Sequence, residues 1–125
     1  MPLYRCTSAT DALEDHQRSA IAKAITAIHC DLTGAPPTFV HVQFHEAKPG
    51  AATPFVLHGG IRAGRAPELT EELIRRCCTS VAGIAAVDVA DVTMRTSETP
   101  ASWILEGGHV LPEPGEEEAW LAAHA

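Results

Sequence analysis

A chain of 125 residues, 46% hydrophobic and 20% charged, is long enough for one domain with a buried core and too apolar to be disordered or fibrous. Sixteen acidic residues against nine basic give a formal charge of −7, which argues against a general nucleic-acid or anionic-membrane surface, so any anion site must be built locally. No apolar run reaches eighteen residues and the N-terminus lacks the charged-then-apolar layout of a signal peptide, so a soluble, cytoplasmic protein is expected.

Pro2 stands directly behind Met1, at the head of a strand-like run over 2–7. If Met1 is trimmed, which a small following residue generally permits, the terminus becomes a secondary amine, both a base and a nucleophile. An ordinary α-amino group titrates near about 7.7–8.0, and modest desolvation or neighbouring positive charge would bring this one into working range at neutral pH. The plainer alternative is that Pro2 affects processing only. Asp11 with Glu14 makes a capping-box-like helix start, and Ile21, Ala24, Ile25, Ile28 and Leu32 recur at helical spacing until Gly34 and Pro36 stop the helix. Residues 39–45 alternate Val40, Val42 and Phe44 against more polar neighbours, the period of a half-buried strand, so 1–46 reads as a β-α-β unit.

A Gly/Pro/Ala-rich stretch at 47–54 leads to a short strand over 54–58, closed by Gly59-Gly60. Pro67 suits the first turn of a helix carrying Leu69, Leu73, Cys77 and Val81 and ending at Gly83; residues 87–95 supply the closing strand of a second β-α-β unit over 54–96. Residues 97–125 are rich in Gly, Pro and Glu, with Trp103, Ile104, Leu111 and Trp120 as anchors, and read as an arm that packs on something. The two units predict a single α/β (α+β) domain, a four-stranded sheet with two helices on one face. Too little chain remains to cover the other face, and self-association is the economical solution.

Four positions are candidates for chemistry besides Pro2. Arg62 and Arg65 lie in a glycine-punctuated loop that runs into a helix N-terminus, where backbone amides and an arginine fork favour a carboxylate or phosphate; the alternative is solvated arginines paired with Glu68, Glu71 or Glu72. His29, near the end of the first helix, is either a cap for helix-end carbonyls or a functional group. Glu106, in an apolar-flanked segment, is either a carboxylate raised by burial toward a general base or a solvent-facing tail residue. The four cysteines, two of them adjacent, suit core filling rather than a disulfide or a metal. His41 and His45 on a strand are about 13 Å apart at 3.3 Å per residue, too far to share an ion. No cofactor is implied.

The chain resembles the tautomerase superfamily and, within it, the cis-3-chloroacrylic acid dehalogenase group. The likeness runs through Met1-Pro2-Leu3-Tyr4, Ala22-Lys23-Ala24-Ile25-Thr26-Ala27-Ile28-His29, Leu32-Thr33-Gly34, Phe55-Val56-Leu57-His58-Gly59, the Arg62-Ala63-Gly64-Arg65 loop, Glu98-Thr99-Pro100, and Glu106-Gly107-Gly108-His109 to Gly115 with Trp120. The resemblance implies a β-α-β fold used twice per chain, a homotrimer, and a terminal proline at the floor of each pocket. It assigns His29, Arg62 and Arg65 to the substrate carboxylate, Glu106 to water activation and Pro2 to proton transfer at carbon. One departure stands at Arg95, where the family dehalogenase has a tyrosine assisting the glutamate. An arginine cannot serve as a neutral hydroxyl partner and depresses the pKa of a nearby carboxylate, so a helper role toward the site or a second carboxylate is what remains for it.

These expectations combine into a tautomerase or hydratase working on a small unsaturated or keto/enol carboxylate, extending to halide loss from cis-3-chloroacrylate. Two other readings stay open: decarboxylation of a β-keto acid, and a non-catalytic trimeric interaction protein in which Pro2 is structural.

Overall fold

Alternating apolar residues at the start of the chain form strand β1 (Leu3–Ser8), which buries Tyr4, Cys6 and Ser8 on one side and turns Arg5 to the other. The computed structural model describes residues 1–50 and 54–124; the linker expected at 47–54 lies partly outside them. Helix α1 (Asp15–Thr33) follows, with Ile21, Ile25 and Ile28 buried along one stripe. Its N-cap is Glu14, whose N–H donates to Gln17 Oε1 at 2.8 Å, and Asp11 instead occupies a left-handed turn at φ 61°. The capping pair is thus three residues later than expected. Gly34 ends the helix at φ 75°, as expected of an αL cap.

Strand β2 (His41–Glu46) pairs parallel with β1, and β3 (Phe55–Arg62) pairs antiparallel with β1 on its other side. Helix α2 (Pro67–Ala85) leads to β4 (Val92–Thr99), parallel to β3, giving the sheet order β2-β1-β3-β4. Ile21, Ile25 and Ile28 of α1 and Leu73, Cys77 and Val81 of α2 meet Tyr4, Cys6, Leu57 and Ile61 of the sheet in one core. Each buried Ile, Leu or Val side chain among them contributes about 1.5–3 kcal/mol. The cysteines are free, and Cys6 and Cys77 are core fillers whose thiols burial pushes up to about 11 and about 12.

Other boundaries differ from expectation as well. β3 does not close at Gly59-Gly60 but runs on to Arg62, so Arg62 is a strand residue. The glycine is needed inside the strand because the Tyr4 ring crosses it: a Cβ on Gly59 would stand 2.9 Å from Tyr4 Cε1. α2 passes through Gly83 to Ala85, since that position faces open space, and ends with Ala86 in the αL region at φ 58°. β4 starts five residues late, after a 3-10 turn at Val89–Asp91. Gly59→Ala is expected to destabilise the fold by about 1–3 kcal/mol in denaturant unfolding, because Tyr4 is buried and hydrogen-bonded and has no room to yield.

The arm carries a two-strand hairpin, β5 (Leu105–Glu106) and β6 (His109–Val110), and a short helix α3 (Glu117–Ala123). Gly107 and Gly108 take φ 58° and 82°, the two positive values that a tight hairpin turn requires. The arm is anchored by a second small core of Phe39, Ile104 and Leu111, with Met1 and Trp120 against it. The sheet face away from the helices stays open: Gln43, Arg5, His58 and Arg95 form one register row across all four strands and are all exposed.

Candidate active site

The site forms where the head of β1, the end of α1, the end of β3 and the folded-back arm meet. Pro2 is fully buried, and its carbonyl accepts the His41 N–H at 3.0 Å. The Met1 amine lies 2.5 Å from Glu106 Oε2, a half-buried carboxylate aimed by the glycine turn that follows it. Three covalent bonds separate the Met1 and Pro2 nitrogens, so Glu106 lies within about 6 Å of the Pro2 nitrogen. The Met1 side chain lies over Gly60 and against the small arm core.

His29 is buried on the last turns of α1 and does not cap the helix end. Its Nδ1 is 2.6 Å from the Tyr4 hydroxyl, edge-on to the ring. Burial pushes the imidazole down to about 3, helped by Arg65, Arg62 and the terminal amine and opposed by Glu117. His29 is therefore neutral at pH 7. With the Tyr4 hydroxyl donating to Nδ1, the ring proton sits on Nε2. The sign for stability follows from the unfolded-state value near 6.5. Between about pH 6.5 and 3 the unfolded chain binds a proton that the folded chain refuses. Stability therefore rises with pH through that window and is flat above it. Urea unfolding from pH 7 to 4 should show this slope, and His29→Gln should flatten it. Glu117, held low, contributes its own loss only below the ordinary carboxylate range.

Arg62 is buried beside the ring of Phe39. Its Nη1 donates to the Pro112 carbonyl at 2.6 Å and its Nη2 to Glu117 Oε1 at 2.6 Å. Glu117 is buried too, and its other oxygen accepts the Gly115 N–H at 2.9 Å. Burial alone would raise that carboxyl, but the hydrogen bonds from Arg62 and from backbone N–H groups hold it below its ordinary value. Arg65 precedes α2, with its side chain only 6% exposed. It makes one long hydrogen bond, 3.4 Å from Nη1 to the Arg62 carbonyl, and its Nη2 is 3.9 Å from Glu117. Burial and then the neighbouring Arg62 lower its pKa. Neither arginine pairs with Glu68, Glu71 or Glu72, the partners of the solvated alternative.

Among the described residues, four buried side-chain polar atoms have no hydrogen-bond partner: His29 Nε2, Arg62 Nε, Arg65 Nη2 and Thr70 Oγ1. Three of them belong to the histidine and two arginines singled out in the sequence, and buried donors are almost always met by protein, water or a ligand. Such N–H groups suit a carboxylate or a developing enolate. Arg95 is not brought to this cluster. It is exposed on the open sheet face, about 10 Å along the strands and about 10 Å across them from Pro2. A depression of about 930 Å³ runs along α3 and includes none of the three donor residues.

Sequence reasoning missed Tyr4 and Glu117. The run Glu116-Glu117-Glu118 gives no local sign of which carboxylate turns inward, and only the need of two buried arginines for a counter-charge pointed toward an acid.

Residues 1–124 match the Tautomerase_3 family, described as oxalocrotonate tautomerase enzyme. The crystal structure of N1, a member of the cis-3-chloroacrylic acid dehalogenase family, superposes with a TM-score of 0.91 at 29% identity over 97% of this chain and 91% of that one. Native Ps01740 does so at 0.79 and 35% identity over 84% of this chain and 100% of that one. A fused 4-OT asymmetric trimer, at 20% identity and 0.75 over 95% and 98%, shows the fold alone. No curated protein matches the chain. With the family model spanning nearly every residue, the chain belongs to the Tautomerase_3 family of the tautomerase superfamily, similar to its cis-3-chloroacrylic acid dehalogenase group.

Proposed function

We propose that the chain, trimmed to expose Pro2, is a cofactor-independent tautomerase for a small enol or unsaturated carboxylate. The observation that carries this reading is the set of unpaired buried donors on His29, Arg62 and Arg65 beside the N-terminus. Arg65 Nη2 and Arg62 Nε hold the carboxylate, and the neutral His29 Nε2–H donates to the oxygen on which charge develops. The Pro2 nitrogen takes the enol hydroxyl proton and returns it to the adjacent carbon, so a C=C–OH becomes an H–C–C=O with no net gain or loss of protons.

Glu106 favours a second step on the same scaffold, because it sits at the terminus rather than in solvent. As a base it takes a proton from water, the hydroxyl adds to the unsaturated carbon and protonated Pro2 supplies the other carbon with its hydrogen. From a chlorinated alkene the resulting halohydrin then loses chloride and a proton. We take the working protein as a homotrimer: the open sheet face and exposed Trp103, Leu105 and Val110 need cover, and the similar fused 4-OT structure is a trimer. Arg95, on that face, then serves as a helper in the pocket of a neighbouring copy.

Intact-mass measurement showing loss of Met1, followed by ketonisation of phenylenolpyruvate with Pro2→Ala as control, tests the proposal. Turnover that the Pro2 substitution leaves unchanged would refute it in favour of a protein that binds without catalysing.

A further inference from the structure

Two positive charges face the proposed carboxylate pocket, yet they are not equally free. Both terminal nitrogens of Arg62 are engaged, one by the Pro112 carbonyl and one by Glu117 at 2.6 Å, and only Nε is unpaired. Arg65 makes one hydrogen bond, at 3.4 Å, and keeps a buried Nη2 without a partner. Glu117 is itself buried, with exposed acids on either side, and sits 3.9 Å from Arg65. It accepts the Gly115 N–H, two residues ahead of it, and the Arg62 guanidinium, which together hold it as a carboxylate.

We propose that Glu117 is a specificity-determining positioning residue. Its carboxylate compensates the Arg62 charge as a built-in anion on Nη2, while the Pro112 carbonyl takes Nη1, and leaves Arg65 Nη2 and Arg62 Nε to bind one substrate carboxylate, so the pocket accepts monoanions and rejects dianions. A second carboxylate would meet Glu117 and Glu106 with no free guanidinium fork, a like-charge contact in a desolvated site. Removing the Glu117 charge leaves Arg62 an uncompensated buried cation that attracts a second carboxylate. The inference rests on the tautomerase reading for the location of the pocket, and not on which reaction follows.

The test uses the trimmed protein and two small acids on the same cis skeleton, isocrotonate with one carboxylate and maleate with two, with dissociation constants measured at mildly alkaline pH. Wild type is expected to bind isocrotonate at least about tenfold more tightly than maleate. Glu117→Gln, which keeps size and polarity, should shift that ratio by tenfold or more toward maleate; Glu117→Asp, which keeps the charge, should stay near wild type. A purely structural role for Glu117 would weaken both acids together and leave the ratio unmoved, and that result overturns the proposal. So does wild type binding maleate as well as isocrotonate. Should Glu117→Gln fail to fold, guanidinium NMR of wild type decides: isocrotonate should move the Arg65 resonances and leave the Arg62 terminal nitrogens in place, and equal movement of both overturns the proposal. If neither acid binds and Arg65→Gln changes nothing, the pocket reading falls along with the inference; an unmoved ratio with isocrotonate still bound sinks the inference alone.

Discussion

A protein carrying an uncleavable extension ahead of Met1 should ketonise phenylenolpyruvate about 100- to 10,000-fold more slowly than the trimmed chain, the usual contribution of a positioned acid or base. In the extended protein the Pro2 nitrogen is an amide with no lone pair for a proton. The untrimmed chain already illustrates the geometry, since the amine facing Glu106 there is that of Met1 and not of Pro2. Pro2→Ala is a gentler change. It keeps a terminal amine after trimming but loses the ring that makes that amine secondary and fixes the nitrogen against Cα, so its kcat/KM should fall between the other two. That order of rates separates loss of the base from loss of its placement. An extended protein as fast as the trimmed one would end the case for a terminal catalyst, whatever the fold.

Arg65→Gln should raise KM for the enol carboxylate by about 10- to 100-fold, the worth of one charge-assisted hydrogen bond, with a smaller effect on kcat. The carboxylate is present in both ground and transition states, so its loss is felt mainly as uniform binding. The same substitution should raise the urea midpoint. Arg65 is a buried cation with one long hydrogen bond, an unpaired Nη2 and a neighbouring arginine, so the fold gains from its removal. Higher stability with weaker binding is the signature of a residue kept for function. Arg65→Gln that lowers stability and leaves KM alone would place this arginine in the scaffold instead.

Much of the architecture was legible because it is written in local periods. The stripe of Ile21, Ile25 and Ile28, the stop at Gly34, Pro67 at a helix start and the alternation around Val42 and Phe44 all fell where the pattern put them. The errors at the end of β3 and the end of α2 share one cause. Gly59-Gly60 and Gly83 read as breaks in the chain, but a glycine marks a break only when its neighbours leave it nothing else to do. Gly59 makes room for Tyr4, from a strand more than fifty residues earlier, and Gly83 faces open space in a helix whose packing continues past it. The later start of β4 follows from the same extension of α2 and the turn at Val89–Asp91.

What the sequence determined by itself is the cast of the candidate site: a proline next to the start, a histidine at a helix end, two arginines ahead of a helix and a glutamate before a glycine pair, all recognisable from residue type and spacing. Only the tertiary structure decided their states. Nothing local says that Tyr4 holds His29 Nδ1, that Glu117 and not its acidic neighbours meets an arginine 55 residues away, or that Arg95 faces away from its own pocket. Charge state and partner choice depend on which distant groups share a desolvated space, and that is fixed when the strands and the arm come together rather than along the chain.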